Sequence, residues 1–371
     1  MAKKQGEKNY LEEHSKEKVR FYKDYLYLYL SILINVRHIK KINIYDIFCG
    51  IGIYKDDSCK GSPVVAMDNI KSIKSKSSKS IKLLINDGDK TRVNIATEYI
   101  KQNYQDICEF SSYCLDAKEI IEKVKNEIYN SNKETEKNLV FIDPHGYKEV
   151  YKKDICEMMS SGNTEIILFL PISQMYRFLK AAIEDEENNS YKPLNRFISE
   201  FFSEDHPLRE LKINNQIEYI NYIKDVFICK NTDYSASYYM NRAKSDYYAL
   251  FFMTGHIYGL DKIVETKWKL DNNCGEGFKK DNHLFVEEFN EDKKQDCLRT
   301  FKKDLESFLR DYKTNREIYE YTLKKGFLPK HAKTVLKELK LKFDREIRRN
   351  SYYLTYENYK KPIKYKVKLN G

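Results

Sequence analysis

Two segments of the sequence place residues that could do chemistry directly after apolar runs. Residues 45–52 read Tyr-Asp-Ile-Phe-Cys-Gly-Ile-Gly, so that an acid and a Gly-x-Gly turn follow the first run. Residues 141–147 read Phe-Ile-Asp-Pro-His-Gly-Tyr, so that Asp-Pro and an aromatic residue follow the second. In an open α/β sheet, ligands bind where strands end and loops begin. The two segments therefore predict a nucleotide-like cofactor site with a reactive loop beside it.

The first segment favours a cofactor that carries an amino-acid end. Gly50 and Gly52 would let the backbone turn tightly and approach a ligand. A dinucleotide fingerprint would need a third glycine where the chain has Lys55, which disfavours NAD. The carboxylate of Asp46, two residues before Phe48, could instead accept hydrogen bonds from a ligand ammonium. We therefore expect S-adenosylmethionine, held by these acid, aromatic and glycine residues; the alternative is an ordinary strand that ends in a glycine turn.

Two later acids extend the predicted cofactor site. Asp87 follows the second predicted strand, where an acid accepts hydrogen bonds from ribose hydroxyls in nucleotide-binding α/β folds. Asp89 could take this role instead, or cap the next helix. Asp116 follows the third predicted strand and could accept a hydrogen bond from the adenine amino group. It could also be a helix cap, and the two roles are compatible.

The second segment provides candidates for the acceptor side of the reaction. Asp143, His145 and Tyr147 resemble the (Asp/Asn/Ser)-Pro-Pro-aromatic loop of amino-methyltransferases that act on nucleobases, although His-Gly replaces the second proline. In such loops the first residue accepts from the exocyclic amine and the aromatic stacks on the extruded base. The histidine could act as a base near neutral pH. The alternative is a stiff turn that ends a strand.

Alternating strands and helices would position these residues. Apolar periodicity predicts a helix over 15–35, and helices also separate the strands that follow. This rhythm predicts a mostly parallel, doubly wound α/β sheet that is covered by helices on both faces. Together with the motifs above, we expect this sheet to be of the Rossmann-like methyltransferase type. Two later strands would form an antiparallel edge, after a helical insertion near 184–232. The predicted strands cover 42–48, 81–85, 107–113, 139–142, 165–170, 235–241 and 247–254.

The C-terminal segment carries the positive charge of the chain. Residues 324–371 contain 15 Lys and Arg against 4 Asp and Glu, whereas the whole chain has a net charge of +10. Helices over 315–324 and 329–340, followed by a hairpin of 351–356 and 363–369, predict a winged helix-turn-helix. Such a basic module indicates contact with nucleic acid, and DNA is favoured over RNA. A protein-binding winged helix or a solvated tail is the alternative. The predicted phosphate contacts are Lys330, Lys333, Lys337, Arg345, Arg348 and Arg349.

Length and composition limit the remaining possibilities. The 371 residues suffice for a methyltransferase domain over 15–275 and a winged-helix domain over 300–371, joined by a linker that begins near 271–280. No apolar run approaches the roughly 20 residues that span a bilayer. The eight cysteines form no Cys-x-x-Cys pair and no zinc-ligand spacing, so we expect no metal and a reduced, cytoplasmic protein.

Taken together, these motifs resemble the three-Cys-motif partner protein family (TcmP), over nearly the whole chain. The resemblance includes residues 14–18, 61–63, 87–89, 114–117, 254–260 and 325–331 as well as the two segments above. The family usually has Ala-Gly-Pro-Gly where this chain has Cys-Gly-Ile-Gly at 49–52. The resemblance implies a prokaryotic protein with a Rossmann-like methyltransferase domain and a C-terminal winged helix. It also implies a radical-SAM-like partner protein with a three-cysteine motif.

These observations predict methyl transfer from S-adenosylmethionine to nucleic acid, at an exocyclic base nitrogen, in a prokaryotic defence or mobile-element system with an antiviral role. One alternative is a catalytically silent protein that binds cofactor or nucleic acid and serves the three-cysteine partner. Another is an oxidoreductase, which Lys55 disfavours.

Overall fold

A computed structural model describes residues 10–54, 58–74, 76, 78–185, 188–243, 246–279, 286–344 and 352–370. Lys55, which bears on the dinucleotide fingerprint, lies outside these residues, as do Arg345, Arg348 and Arg349. The chain divides into two compact units, Met1–Gly255 and His256–Gly371. Among the described residues, no helix combines the length and apolar character needed to cross a membrane.

The first unit contains a seven-stranded mixed sheet. The spatial order is β3-β2-β1-β4-β5-β7-β6, and β7 runs antiparallel to both of its neighbours while the other pairs are parallel. This arrangement is a mostly parallel, doubly wound, Rossmann-like sheet, and it confirms the predicted fold class with its antiparallel edge. The strands are β1 Lys41–Asp46, β2 Ser80–Asn86, β3 Glu109–Tyr113, β4 Glu136–Ile142, β5 Thr164–Leu170, β6 Tyr234–Ala243 and β7 Asp246–Thr254.

Helices cover the sheet because its central strands are apolar on both faces. Four successive residues of β4, Leu139 to Ile142, are buried, and β5 is buried along most of its length. Such continuous apolar strands need cover on both sides. The predicted helical stretch 194–230 is two helices, and the preceding helix α6 was not predicted. The helices are α1 Glu13–Leu33, α2 Ser62–Lys74, α3 Lys90–Asn103, α4 Ala117–Asn130, α5 Lys152–Met159, α6 Ile172–Glu184, α7 Lys192–Phe201 and α8 Gln216–Val226.

The strand register collects several loops at one edge of the sheet. Asp46 at the end of β1 lies opposite Ile85 of β2 and Phe141 of β4, so the carboxyl ends of these strands are adjacent. Because β7 is antiparallel, its beginning lies beside the end of β5, where Leu170 pairs with Ala249. Residues near the start of β7 therefore reach the same edge as the Asp-Pro loop.

The second unit contains a winged helix-turn-helix. Its three-stranded antiparallel sheet has the order β10-β11-β9, and the side chain of Thr314 caps α11 in a reciprocal capping box with Glu317. The elements are α9 Ile257–Leu270, β8 Gly277–Lys279, α10 Val286–Phe308, β9 Lys313–Thr314, α11 Asn315–Lys324, α12 Pro329–Glu338, β10 Leu341–Phe343, α13 Tyr356–Tyr359 and β11 Lys366–Leu369.

The wing differs from the predicted hairpin in its first strand. Within 352–356 the chain forms no strand, and β11 pairs instead with β10, for example through Phe343 and Val367. Tyr352 and Leu354 are buried, which produces the alternating pattern without strand pairing. The Tyr352 hydroxyl donates to the Leu336 carbonyl at 3.2 Å, so this segment is held by side-chain contacts.

Two disulfides also differ from the expectation of reduced cysteines. Cys156 pairs with Cys229 across a sequence separation of 73, and Cys274 pairs with Cys297 across 23. The second bond lies in the predicted linker region, where the Asp271 carboxylate also accepts hydrogen bonds from three backbone amides. The described part of that region is therefore a turn, held by these hydrogen bonds and the disulfide, and it is followed by β8. The expectation of reduced thiols is wrong for these four cysteines.

Candidate active site

A cleft of about 600 Å³ opens at the edge of the sheet where β1, β2, β4 and β5 end and β7 begins. Loops from both predicted segments line it, together with the start of α1. The residues used below that line the cleft are His14, Lys18, Phe48, Gly50, Ser62, Asp87, Arg92, Asp143, His145, Phe169 and Tyr248.

The glycine loop after β1 has the backbone geometry that its sequence predicts. Gly50 and Gly52 have φ values of +61° and +72°, a region that side chains disfavour. A Cβ on Gly52 would lie 3.1 Å from the Cβ of Ala96 and 3.3 Å from a Pro63 ring carbon. The Gly61 amide donates to the Gly52 carbonyl at 2.7 Å, which ties the loop to the start of α2. The loop is thus a fixed backbone cradle.

Asp87 joins the glycine loop to the end of β2. Its Oδ2 accepts from the Gly50 amide at 3.0 Å, and its Oδ1 accepts from the Asp89 amide at 2.9 Å. The residue is buried but lines the cleft. Each carboxylate oxygen can accept more than one hydrogen bond, so a ligand hydroxyl could still bind Asp87. Asp89 itself caps α3 by accepting from the Thr91 and Arg92 amides.

Asp46 is a fully buried carboxylate at the end of β1. Neither of its oxygens has a hydrogen-bond partner of good geometry among the described residues. Burial raises the pKa of this carboxyl to about 7; the nearby Ser62 hydroxyl lowers it, and the charge of Asp143 raises it further. A buried carboxylate with so little support from donors is costly. A cationic ligand group that reached Asp46 would lower that cost.

Asp143, after β4, makes an ion pair with Lys18 of α1. The Lys18 Nζ donates to Oδ2 of Asp143 and lies 4.4 Å from the ring centroid of Phe169. Both side chains of the pair are largely buried, with 11% and 19% exposed. The sequence predicts that Asp143 binds the group to be methylated. In the structure its carboxylate is already paired with the Lys18 ammonium of α1.

The structure separates the other two residues of the Asp-Pro loop. His145 is exposed at the cleft, and its Nε2 lies 2.8 Å from Nη1 of Arg92. Arginine can only donate, so this contact makes Nε2 an acceptor and places the imidazole proton on Nδ1. Tyr147 is buried in the hydrophobic core, and burial raises its pKa. It is not among the cleft residues and is not placed to stack on a substrate.

Of the predicted cofactor residues, Phe48, Gly50 and Asp87 line the cleft, whereas Asp46, Gly52 and Asp116 do not. Asp116 is exposed and caps α4 in a capping box with Glu119. This is the helix-cap alternative that the sequence left open.

Sequence reasoning missed an aromatic wall on the cleft. The rings of His14 and Tyr248 stack at 4.5 Å, and the rings of Tyr248 and Phe169 stack at 5.4 Å. These residues come from α1, β7 and β5. Only the positions of Phe169 and Tyr248 near strand ends could have indicated these ring contacts, since the antiparallel start of β7 lies beside the end of β5.

A surface of the second unit presents the predicted lysines. Lys330 and Lys337 are exposed and Lys333 is half-buried, all on α12, while the apolar residues Ala332 and Leu336 of the same helix are buried. The lysine spacing of three and four residues puts them on one helical face.

The family of GMT-like wHTH domains matches residues 278–346. This match confirms the predicted winged helix-turn-helix and covers under half of the chain. The match does not show that the chain belongs to the three-Cys-motif partner family, so that resemblance stays a prediction. No curated protein matches the chain in sequence.

Among solved structures, the bifunctional kinase-methyltransferase WbdD has a TM-score of 0.35 and 9% identity over 67% of this chain and 40% of that chain. The magnesium protoporphyrin IX methyltransferase ChlM from Synechocystis PCC 6803, with bound SAH, has a TM-score of 0.29 and 8% identity over 65% of this chain and 83% of its own. A loganic acid methyltransferase with SAH has a TM-score of 0.29 and 10% identity over 65% of this chain and 94% of its own.

The chain thus spans about two fifths of WbdD. TM-scores this low do not identify a reaction, so any function has to be argued from the residues of this chain.

Proposed function

We propose that this chain is an S-adenosylmethionine-dependent methyltransferase that acts on an amine nitrogen of a nucleic acid. One observation carries the proposal: a strand-end cleft brings the glycine cradle, the Asp87 carboxylate and the Asp143 carboxylate together. The cofactor residues and the acceptor residue come from different strand ends, as a two-substrate site requires.

The residues at the end of β1 and β2 fit the cofactor. Gly50 and Gly52 would hold its methionine end against bare backbone, and Asp46 would accept hydrogen bonds from its ammonium. Asp87 would accept from the ribose hydroxyls, and Phe48 would pack beside them. When bound, the cofactor supplies an electrophilic methyl group on a sulfonium. None of the described residues that line this cleft favours the oxidoreductase alternative.

The Asp143 carboxylate is the group that would receive the acceptor. Its charge can accept a hydrogen bond from an amine and then take its proton as the nitrogen becomes alkylated. One of its oxygens bonds Lys18, and a carboxylate has further acceptor sites for a second amine. His145 would act at the mouth of the cleft, where Arg92 holds its ring.

The second unit supports nucleic acid as the partner, and DNA in particular. Lys330, Lys333 and Lys337 form a basic face on α12, as the second helix of a helix-turn-helix does when it contacts duplex DNA. On the wing, Lys342 lies directly opposite Lys368. Like charges across a strand pair are destabilising unless an anion joins them. A phosphate backbone would supply that anion.

Calorimetry tests the cofactor assignment. S-adenosylhomocysteine should bind the full chain at one site, and NADH should not bind. Binding of NADH without binding of S-adenosylhomocysteine would favour an oxidoreductase and refute the proposal.

A further inference from the structure

The side chain of Lys18 occupies the acceptor side of the proposed cleft. Its Nζ donates to the Asp143 carboxylate, and it lies 4.4 Å from the Phe169 ring centroid. Lys18 lines the same cleft as Gly50 and Asp87, the residues proposed to hold the methyl donor. An amine of this chain therefore takes the place that a methyl acceptor would take.

The position of Lys18 is fixed by the docking of α1 on the sheet. The Tyr22 ring stacks on Phe141 of β4 at 4.4 Å. Farther along the helix, the Tyr25 hydroxyl donates to the half-buried Glu165 of β5 at 2.5 Å. Both contacts lie within two helical turns of Lys18, so its placement follows from a rigid helix.

The surroundings of Lys18 match what an amine acceptor needs. Alkylation of an amine requires a base for its proton, and Asp143 is already hydrogen-bonded to the nitrogen. The product remains a cation, and an aromatic face such as that of Phe169 stabilises an ammonium group. Lys16, on the same helix, also pairs with a carboxylate, that of Glu13 at 3.3 Å, but it does not line the cleft where the methyl donor would bind.

We propose that Lys18 is a site of self-methylation, an inference that rests on the function proposed above. Lys18 gives one ammonium proton to Asp143, and its lone pair then attacks the methyl carbon of the donor. The carbon–sulfur bond breaks, and its electron pair returns to sulfur. The sulfonium becomes a neutral thioether, the methylated nitrogen carries the positive charge, and the proton leaves Asp143 for water.

Mass spectrometry of the full chain after incubation with S-adenosylmethionine tests this directly. We expect methyl groups on Lys18, no such product in Lys18→Arg, and an unchanged yield in Lys16→Arg. Asp143→Asn should slow the modification about a hundredfold or more, as expected when a proton acceptor is lost. Because the step is intramolecular, the fraction modified per minute should not depend on protein concentration.

Chemical modification of lysines is a second test, and it does not depend on methyl transfer. An amine-reactive acylating reagent should modify Lys18 more slowly when S-adenosylhomocysteine is bound, and Lys16 at the same rate. If S-adenosylhomocysteine binds, but Lys18 gains no methyl group and no protection, self-methylation is refuted while the cofactor site stands. If S-adenosylhomocysteine does not bind at all, both proposals fail together.

Discussion

Replacement of Asp87 by alanine should weaken binding of S-adenosylhomocysteine without unfolding the first unit. The Asp87 carboxylate accepts from the amides of Gly50 and Asp89, so its removal leaves two backbone donors without their acceptor. Leaving one such buried donor unpaired costs about 1–3 kcal/mol. If the glycine cradle must be ordered to hold the cofactor, a loss of this size raises Kd by about fivefold to about 150-fold.

Isothermal titration calorimetry of the purified variant measures this change. Asp89→Ala is the matched control, since it removes the cap of α3 but leaves the bond between Asp87 and the Gly50 amide. That variant should lose about 0.5–2 kcal/mol of stability and keep its affinity. A folded Asp87→Ala variant with wild-type affinity, or a larger affinity loss in Asp89→Ala, would show that Asp87 does not hold the ribose.

Four further results are expected. Asp143→Asn should slow methyl transfer about a hundredfold or more and leave S-adenosylhomocysteine affinity nearly intact by calorimetry. Because the raised pKa of Asp46, about 7, lets the folded state hold a proton that the unfolded state releases, the free energy of unfolding should fall as pH rises from about 4 to about 7. Urea titrations should show this slope in the wild type and not in Asp46→Asn. Replacing Lys330, Lys333 and Lys337 by glutamine should weaken DNA binding to all sequences alike and flatten its salt dependence, as measured by fluorescence anisotropy. Denatured, unreduced protein should titrate four thiols rather than eight, and reduction should cost about 3–4 kcal/mol of stability for each disulfide.

The sequence predicted the sheet well because each strand and its loop are local patterns. The alternation of apolar strands with helices, the glycine turn at 50–52 and the antiparallel pair β6 and β7 all follow from nearby residues. The wing was less predictable. Tyr352 and Leu354 alternate like a strand but are buried by contacts with other elements, while the true strand β10 has only three residues.

The candidate site was predicted only where it is made by strand-end loops. The pair of Lys18 and Asp143 joins residues 125 positions apart, and no local pattern indicates it. The stack of Phe169 and Tyr248 depends on the register of β5 with β7. For Tyr147 the motif predicted a site residue that the fold does not place at the site. The motif suggests that its ring stacks on a substrate, but the side chain is buried in the hydrophobic core. Pairing and burial depend on tertiary structure, which spacing alone does not specify.

Transfer of a radiolabelled methyl group from S-adenosylmethionine is the most direct test of the central claim. The full chain should be incubated with labelled donor and, separately, with duplex DNA, single-stranded DNA, RNA and a protein mixture, with Asp143→Asn as the inactive control. We expect label in nucleic acid, above all in DNA, from the wild type alone. Binding of S-adenosylhomocysteine without label in any acceptor beyond the chain itself would contradict the claim and favour a cofactor-binding partner protein that modifies no nucleic acid.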